Sequence, residues 1–446
     1  MDWRGLRVTV FGMARSGLAT IELLREAGAV LRGADLRAAS EMPEAAAWLD
    51  RMGVPFVRQG PESVTGCDVA ILSPGVPPDL PLFEQARAAG VRVMGDVEAA
   101  CQFLRGPILG VTGSNGKTTC TALAGHLLKE GGIAAQVGGN IGTPPAAMAA
   151  SSRDDQWNVL ELSSFQLEMA ETVRVRIAAA LNVTPDHLDR HGTLEKYAAA
   201  KQRIFLNQRA EDAAVLNHEN GITRGFAAQC AAQVHWFNAG GRVARGFWME
   251  GAELVADGRA WMKAEEIPLR GRHNIENVLA AACCAHLAGV PLEALRRGVM
   301  SFPGVEHRIE FVRRVRGVDY YNDSKATNVD ATIKALESFE GGLWVILGGL
   351  DKKSDYRPLR PLLEARAKAA LLIGSATEII AGHLEGSVRM ERCGDLASAV
   401  ALAAREAQPG DTVLLAPACA SFDQFSGYEH RGRAFKQIVA GLEERG

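Results

Sequence analysis

The chain has few aromatic residues, no surplus of positive charge and no long apolar segment. Phe, Trp and Tyr make up 6% of its 446 residues, and 49 Lys and Arg stand against 52 Asp and Glu, a net charge of −3. Without a basic excess we expect no nucleic-acid partner. No apolar run reaches the roughly 18 residues of a membrane span, so we expect no such span. Residues 1–5 carry an acid and lead directly into a strand-like run, so we also expect no signal peptide.

The eight cysteines form no CxxC pair and lie mostly in apolar segments. This pattern is typical of buried thiols in a reducing compartment rather than of a disulfide framework or a zinc site. The composition, 47% hydrophobic and 23% charged, excludes a disordered chain. We therefore expect a cytoplasmic globular protein.

The length suggests about three domains, at roughly 150 residues each. Three stretches alternate short β-branched runs with helical segments, which predicts α/β domains built on parallel sheets. We place a Rossmann-like domain at 1–97, a central P-loop domain at 98–301 and a second Rossmann-like domain at 302–446. Within them we expect a small β excursion over GFWMEG and RAWMK (246–263) and helices over 275–287 and 358–369.

A glycine-rich loop, GVTGSNGKTT (110–119), lies between an apolar strand and a helix. Its pattern departs from the strict P-loop, because Val111 stands where the first glycine would be. Backbone N–H groups of Gly113, Asn115 and Gly116 suit phosphate oxygens, Lys117 supplies a positive charge, and the Thr118 hydroxyl suits Mg²⁺. The loop predicts a nucleoside triphosphate site.

A second turn, GMARSG (12–17), is less specific, because Ala14 stands where a dinucleotide fingerprint has its second glycine. With Asp35 at the end of the next strand, the turn suits NAD, another diphosphate such as a UDP-sugar, or simply tight helix packing. These alternatives stay open on the residues alone. The turn at 73–75 adds N–H groups and favours an anion site.

Titratable residues follow two further strands, and ligands of parallel sheets bind at these carboxyl ends. Glu161 ends NVLE and is placed to hold Mg²⁺. The next strand leads into TPDHLDRHG (184–192), where His187 suits a metal or a substrate. Lys201 follows on a predicted helix, and its spacing alone indicates only a solvated helix face.

The last third of the chain adds polar loops after predicted strands. GRHNIEN (271–277) carries Asn274 and Asn277 on one helix face, where they either read a base or cap the helix. Further loops contain HRIE, NDSKATN, GGLDKKSD and PACASFDQF, and they offer Arg308, Asp323, Lys325, Lys352, Ser421 and Tyr428. Asp323 suits a ribose hydroxyl, and Lys325 suits a γ-phosphate or an anionic substrate.

The glycine-rich loop, the candidate Mg²⁺ ligands and the polar loops of the last third fit phosphoryl transfer by two domains that share one nucleotide. ATP-driven amide formation, through an acyl phosphate and a tetrahedral intermediate, would use all of them. A simple P-loop kinase is the competing interpretation.

GVTGSNGKTT, ELSSFQLE, NVTPDHLDRH, GRHNIENVLAA, HRIE, NDSKATN and PACASFDQF, in this order, resemble the Mur ligases, and among them most closely the D-glutamate-adding members. The resemblance covers almost the whole chain and implies ATP, UDP-MurNAc-L-alanine and D-glutamate as substrates and a cytoplasmic monomer as the working form. The alternatives are another Mur ligase, a folylpolyglutamate synthase, or a nucleotide-sugar-binding regulator that keeps the fold without turnover.

The resemblance also implies roles for individual residues. Those assigned to ATP are Gly113, Asn115, Gly116, Lys117, Thr118, Thr119, Asn274, Asn277, Arg308, Asp323 and Lys325. Those assigned to the UDP-substrate are Arg15, Ser16, Asp35, Ser73, Asn140 and His187. Those assigned to D-glutamate are Thr327, Lys352 (or its neighbour Lys353), Ser421 and Phe422. Two Mg²⁺ sites would use Thr118, Glu161, His187 and Lys201, the last as a CO₂-derived carbamate. The catalytic set would be Lys117, His187, Lys201 and Lys325.

Overall fold

The computed structural model describes residues 1–442, except for the side chain of Asp189. Residues 443–446, the end of the predicted third domain, lie outside the described part. Contacts divide the chain into two units. The first comprises 1–266 and 276–302, and the second comprises 267–275 and 303–446.

The first unit begins with a five-stranded parallel sheet, in the order β3-β2-β1-β4-β5. Its strands are β1 Arg7–Phe11, β2 Val30–Asp35, β3 Phe56–Arg58, β4 Val69–Leu72 and β5 Arg92–Gly95. Its helices are α1 Arg15–Glu26, α2 Pro43–Met52, α3 Pro61–Val64, α4 Pro81–Ala88 and α5 Asp96–Cys101. The strand order is typical of a Rossmann-like sheet and places the turn at 12–17 at the carboxyl edge of β1.

The same unit contains a nine-stranded sheet, in the order β14-β13-β12-β11-β10-β9-β6-β8-β7. Its strands are β6 Ile108–Thr112, β7 Ala135–Gly139, β8 Trp157–Glu161, β9 Ile177–Ala180, β10 Ala213–Asn217, β11 Gln233–Asn238, β12 Gly246–Glu250, β13 Glu253–Ala256 and β14 Arg259–Lys263. The seven strands from β6 to β12 pair in parallel, and β13 and β14 add antiparallel pairs. The predicted β excursion is therefore confirmed as the last strands of this sheet.

The helices of this region follow the strands along the chain. They are α6 Lys117–Glu130, α7 Pro145–Met148, α8 Ser164–Glu168, α9 Leu188–His191, α10 Leu194–Gln202, α11 Gly221–Phe226, α12 Arg272–Leu287 and α13 Leu292–Ser301. The helix predicted at 275–287 thus starts three residues earlier, and the division between the two units falls within it.

The second unit contains a six-stranded sheet, in the order β15-β16-β20-β17-β18-β19. Its strands are β15 Glu310–Val315, β16 Val318–Asn322, β17 Leu343–Gly348, β18 Ala367–Ile373, β19 Met390–Gly394 and β20 Thr412–Leu415. Its helices are α14 Val329–Glu337, α15 Arg360–Arg366, α16 Thr377–His383, α17 Leu396–Glu406 and α18 Tyr428–Ala440. Only the edge strand β15 pairs antiparallel within this sheet.

The three sheets confirm the predicted fold class of α/β domains with parallel sheets. Their inner strands are buried on both faces; β17, for example, is buried at every position. Continuous apolar strands of this kind are expected where helices cover both faces of a parallel sheet. The exact domain boundaries at 97 and 301 stay a prediction.

One predicted helix is too long. The Ala-rich segment was expected to be helical over 358–369, but α15 ends at Arg366 and Ala367–Ile373 form β18. The register pairs Ala367 with Leu343, so backbone hydrogen bonding to β17 overrides the helix propensity of Ala and Lys.

Among residues 1–442, no helix combines the length and the hydrophobicity that crossing a lipid bilayer requires.

Candidate nucleotide and substrate sites

The turn between β1 and α1 opens onto a cleft of about 370 Å³. A Cβ at Gly17 would lie 1.9 Å from the carbonyl oxygen of Gly12, so this turn needs glycine there. Residues from three strand ends line the cleft, and they include Arg15, Ser16, Asp35 and Ser73. All four are residues that the resemblance assigns to the UDP-substrate, and the fold brings them together.

Asp35 is the carboxylate that lines this cleft, and it is 7% exposed. Its carboxylate accepts the Met13 N–H at 2.8 Å and two guanidinium bonds from Arg37 at 3.0 and 3.1 Å. Partial burial alone would raise the pKa of Asp35, but the bonds from Arg37 and Met13 hold it below its ordinary value. Arg37 also lines the cleft, and the sequence interpretation missed it, although a cation two residues after a strand-end acid was a usable signal.

The glycine-rich loop between β6 and α6 has the backbone that a phosphate site needs. Gly113 and Gly116 have φ of 155° and 85°, values that favour glycine. A Cβ at Gly116 would lie 2.3 Å from Oδ1 of Asn277, so this buried amide packs directly against the loop. Lys117 donates to the carbonyls of Gly113 and Ser114 at 2.8 and 2.9 Å.

The loop is anchored to the neighbouring strand β9. The Asn115 N–H, expected to face phosphate, donates to Oδ1 of Asn182 at 2.8 Å, and the Ser114 N–H donates to the Asn182 carbonyl. Asn182 was missed by the sequence interpretation, although it lies only two residues after the strand IAAA. Thr118 and Thr119 lie in the first turn of α6 and are buried.

Lys201 does not lie on a solvated helix face, so the interpretation drawn from its spacing is wrong. Its side chain is buried, at 1% exposure, and Nζ donates to the Gly113 carbonyl at 2.7 Å. Nζ also lies 4.4 Å from the ring centre of Tyr197. Burial, with the charge of Lys117 adding to it, holds the pKa of Lys201 well below its ordinary value, against the opposing effect of Asp186 and Glu161.

Glu161 ends β8 with a carboxylate that is 2% exposed. Oε1 accepts a bond from the side-chain amide of Asn140 at 3.0 Å. Oε2 is buried and has no hydrogen-bond partner among the described residues. A buried carboxylate oxygen without a partner is costly, and a metal ligand is one arrangement that removes the cost. The carboxylate of Glu161 and the hydroxyl of Thr118 are oxygen donors of the kind that Mg²⁺ prefers.

The two histidines of the loop after β9 have different surroundings. His187 has a φ of 52° and a side chain that is about half exposed. Its ring meets the Phe165 ring edge-on, with 5.0 Å between the ring centres. His191 is buried, and its Nε2 lies 3.0 Å from Oγ of Ser164. Burial lowers the pKa of His191. His187 is thus the accessible imidazole; the side chain of the neighbouring Asp189 lies outside the described part.

In the second unit, Arg308 lies between two residues with left-handed backbone, His307 at φ 65° and Ile309 at φ 44°. Such conformations cost of order 1–3 kcal/mol each and persist only where surrounding contacts hold them. Here the Ile309 N–H donates to Asp323 at 3.3 Å, and the Lys325 N–H donates to the His307 carbonyl at 3.1 Å. Nε of Arg308 is buried without a hydrogen-bond partner within the described residues.

Asp323 is 3% exposed, and burial raises its pKa to about 6, against the attraction of Arg308. Nζ of Lys325 lies 5.3 Å from the ring centre of Tyr428. Asn274, in the same unit, donates its side-chain amide to the Arg270 carbonyl at 2.7 Å.

The residues that the resemblance assigns to D-glutamate lie on three loops of the second unit, which backbone bonds join. Gly348 donates to Pro417 and Leu350 to Ala420, both at 2.9 Å, and Ala418 donates to Ala326 at 2.9 Å. These bonds bring together the loops that carry Thr327, Lys352 and Ser421. Phe422 is 69% exposed, and both Lys352 and Lys353 are exposed, so exposure does not decide between the two lysines.

Comparison with known proteins places these sites in a family. The model described as Mur ligase middle domain matches residues 111–285, and the model described as Mur ligase, glutamate ligase domain, matches 307–419. A protein of Solibacter usitatus named UDP-N-acetylmuramoylalanine–D-glutamate ligase is 55% identical, covering 100% of both chains. One of the same name from Acidobacterium capsulatum is 48% identical, covering 100% of this chain and 98% of its own.

A solved structure supports the fold independently. The UDP-N-acetylmuramate–alanine ligase of Thermotoga maritima matches with a TM-score of 0.63 and 18% identity, covering 98% of this chain and 100% of its own.

The raised pKa of Asp323 predicts a specific dependence of stability on pH. Because its folded-state pKa of about 6 lies above the ordinary value of 3.8, ionisation of Asp323 opposes folding. As the pH rises from 4 to 6, the wild type should lose about 2 kcal/mol of unfolding free energy relative to Asp323→Asn. Urea unfolding across this pH range measures the difference.

Asp411 in the same unit is the matched control. Burial would raise its pKa, but hydrogen bonds from Lys368, Gln408 and Trp344 hold the pKa below its ordinary value. Asp411→Asn should show the opposite trend. The wild type should have the larger unfolding free energy above pH 4 and should lose this difference as the pH falls below 4. A flat difference for Asp323→Asn would contradict a raised pKa.

Proposed function

The chain belongs to the Mur ligase family, and from this membership we propose that it is an ATP-dependent ligase that joins D-glutamate to UDP-MurNAc-L-alanine. The observation that carries the proposal is 55% and 48% identity over the full chain to relatives named for this reaction. The reaction belongs to the synthesis of peptidoglycan precursors.

The proposed reaction has two chemical steps. A carboxylate oxygen of the L-alanyl group attacks the γ-phosphorus of ATP, the bond to ADP breaks, and an acyl phosphate forms. The amine of D-glutamate then attacks the acyl carbon and loses a proton. The tetrahedral intermediate expels phosphate and leaves the amide.

The loop at 110–119 supports the first step. The N–H groups of a glycine-rich loop at a helix N-terminus suit the phosphates of ATP, and Lys117 lies at that terminus within reach of the same loop. Its charge would stabilise the negative charge that develops on the γ-phosphoryl group. Asn115, Gly116, Thr118 and Thr119 complete the part of the ATP site that we assign to this loop.

Thr118, Glu161 and His187 would hold Mg²⁺, in two sites with Lys201. A bound Mg²⁺ would neutralise phosphate charge and orient the transferring group. The support in this chain is the buried Oε2 of Glu161, which lacks a hydrogen-bond partner in the described part of the chain.

We propose that Lys201 carries a carbamate in the working enzyme. Its lowered pKa favours the neutral amine, which is the form that reacts with CO₂. Nζ forms a bond to the carbon of CO₂ and loses one proton to solvent, so the side chain changes from a neutral amine to an anion. The anion would suit Mg²⁺, whereas a protonated lysine in this position would repel it.

The cleft of the first sheet is the proposed site for the uridine diphosphate of the substrate. Arg15, Ser16, Asp35 and Ser73 line it, and of the three interpretations left open by the sequence, the UDP-sugar is the one that family membership favours. Asn140 and His187, at the carboxyl edge of the second sheet, would contact the same substrate nearer its reacting end.

The second unit supplies most of the remaining proposed contacts. Arg308, Asp323 and Lys325 would bind ATP, together with Asn274. Asn277, which lies in the first unit, would also bind ATP. Thr327, Ser421, Phe422 and Lys352 would receive D-glutamate, and Lys352 would pair with one of its carboxylates. We further propose a cytoplasmic, monomeric enzyme with domains at 1–97, 98–301 and 302–446.

Phosphate release from ATP tests the proposed reaction. With UDP-MurNAc-L-alanine present, we expect release only when D-glutamate is added, and a product whose mass is that of the amide. Release with another amino acid would keep the ligase but overturn the assignment of the pocket. Release with none, despite bound ATP, would favour a binding protein, and a phosphorylated product without free phosphate would favour a kinase.

Lys117→Ala should lower the rate of phosphate release by about 10²–10³-fold, because a fixed charge at the developing phosphate charge is lost. Binding of UDP-MurNAc-L-alanine, measured by calorimetry, should stay unchanged. Lys129→Ala is the matched control, since this lysine is exposed at the far end of the same helix α6. Equal loss of both properties in Lys117→Ala would contradict the separate assignment of the two sites.

Lys201→Ala should be inactive and should recover activity in buffers with small carboxylates such as formate or acetate, which can replace the carbamate anion. Lys196→Ala, on the exposed face of the same helix α10, should stay active and be indifferent to these additives. If no carboxylate restores a correctly folded Lys201→Ala protein, the carbamate role is refuted.

A further inference from the structure

We propose that Tyr356 and Asp351 are positioning residues for the amino-acid substrate. Tyr356 joins the lysine loop (348–355), which carries Lys352, to the serine loop (416–421), which carries Ser421. The inference rests on the proposed function, because it assigns these two loops to D-glutamate.

The Tyr356 side chain is completely buried, yet its hydroxyl has two polar neighbours. Oη lies 2.7 Å from Oδ1 of Asp351 and 3.0 Å from Sγ of Cys419. Because a carboxylate only accepts, the phenol proton points to Asp351, and the Cys419 thiol donates to the phenol oxygen. Burial raises the pKa of both groups, that of Cys419 to about 11, so both stay protonated.

Asp351 in turn closes the turn that contains Lys352. Its carboxylate accepts the backbone N–H groups of Lys353 at 2.9 Å and Ser354 at 3.2 Å. Lys353 has a φ of 60°, a conformation that local contacts must hold. The bond from Tyr356 therefore orients the carboxylate on which this backbone turn depends.

Hydrogen bonds that do not involve Tyr356 also hold the two loops together. Leu350 donates to the Ala420 carbonyl, and the fully buried Arg431 donates to the carbonyls of Cys419 at 3.2 Å and Ser324 at 2.9 Å. The loops should therefore stay docked when the phenol oxygen is removed. What is lost is the orientation of the turn at 351–354.

This arrangement matters for substrate affinity because Lys352 is an exposed, flexible side chain. A lysine side chain has several freely rotating bonds, so the position of its ammonium also depends on how firmly its backbone is held. A loop fixed in its binding conformation pays less ordering cost when the ligand arrives. The hydrogen bonds of Tyr356 and Asp351 hold the backbone of the lysine loop in one conformation.

Tyr356→Phe tests the inference by removing one oxygen atom. We expect the KM for D-glutamate to rise about tenfold, with kcat at saturating D-glutamate and the KM values for ATP and UDP-MurNAc-L-alanine within twofold of wild type. Asp351→Asn should have the same effect. In the double variant the two effects should not add, since both break one interaction.

Tyr320→Phe is the matched control. Tyr320 is a buried tyrosine of the same unit, on β16, where it lines a different cleft with Arg316 and Pro409. It should leave all three KM values unchanged. Asp351→Asn alone carries the test if Tyr356→Phe does not fold.

Three results would overturn the inference: an unchanged KM for D-glutamate, additive effects in the double variant, or a uniform loss of kcat and of affinity for all substrates. The last would indicate a general structural role. A wild-type enzyme whose phosphate release does not depend on D-glutamate would instead refute the proposed function, so the two failures are distinguishable.

Discussion

The parallel pairing of neighbouring strands is the constraint on which the sites of this protein depend. In the nine-stranded sheet, β6 lies between β8 and β9, and all three strands run in the same direction. Their carboxyl ends therefore meet at one edge. There the phosphate loop follows β6, Glu161 ends β8, and Asn182 lies two residues after β9. The same rule joins the loops after β17 and β20 in the second unit.

Several buried polar groups at these edges are not fully satisfied by the described contacts. The buried amine of Lys201, the partnerless oxygen of Glu161 and the partnerless Nε of Arg308 each carry a desolvation cost that the described contacts do not remove. Such costs are typical of sites where ligands complete the hydrogen bonding, and they trade stability for function. The sheets beneath, with continuous apolar strands, supply the rigidity that holds these groups in place.

Sequence reasoning identified the parts whose chemistry is local. The glycine-rich loop needs two glycines with positive φ, three positions apart, and a lysine at a helix start, so a phosphate site can be predicted from ten consecutive residues. Lys201 shows the limit, because its helix has neither a hydrophobic stripe nor a motif to indicate burial. Only the resemblance suggested a role, and only the fold shows its amine against the Gly113 carbonyl. Asn182 and Tyr356 were missed for a similar reason, since each contacts a loop that is distant in sequence. Arg37 was missed although its partner Asp35 is only two residues away.

The sequence by itself determined the α/β class, the phosphate loop, the strand-end positions of Asp35 and Glu161, and the family. Each of these depends on short-range patterns of side chains and backbone freedom. The tertiary structure decided that Ala367 starts a strand rather than ending a helix, that Lys201 is buried, and that Asp351, Tyr356 and Cys419 meet beneath the loops of the second unit. These outcomes depend on strand pairing and desolvation, which are set by residues far apart in the chain.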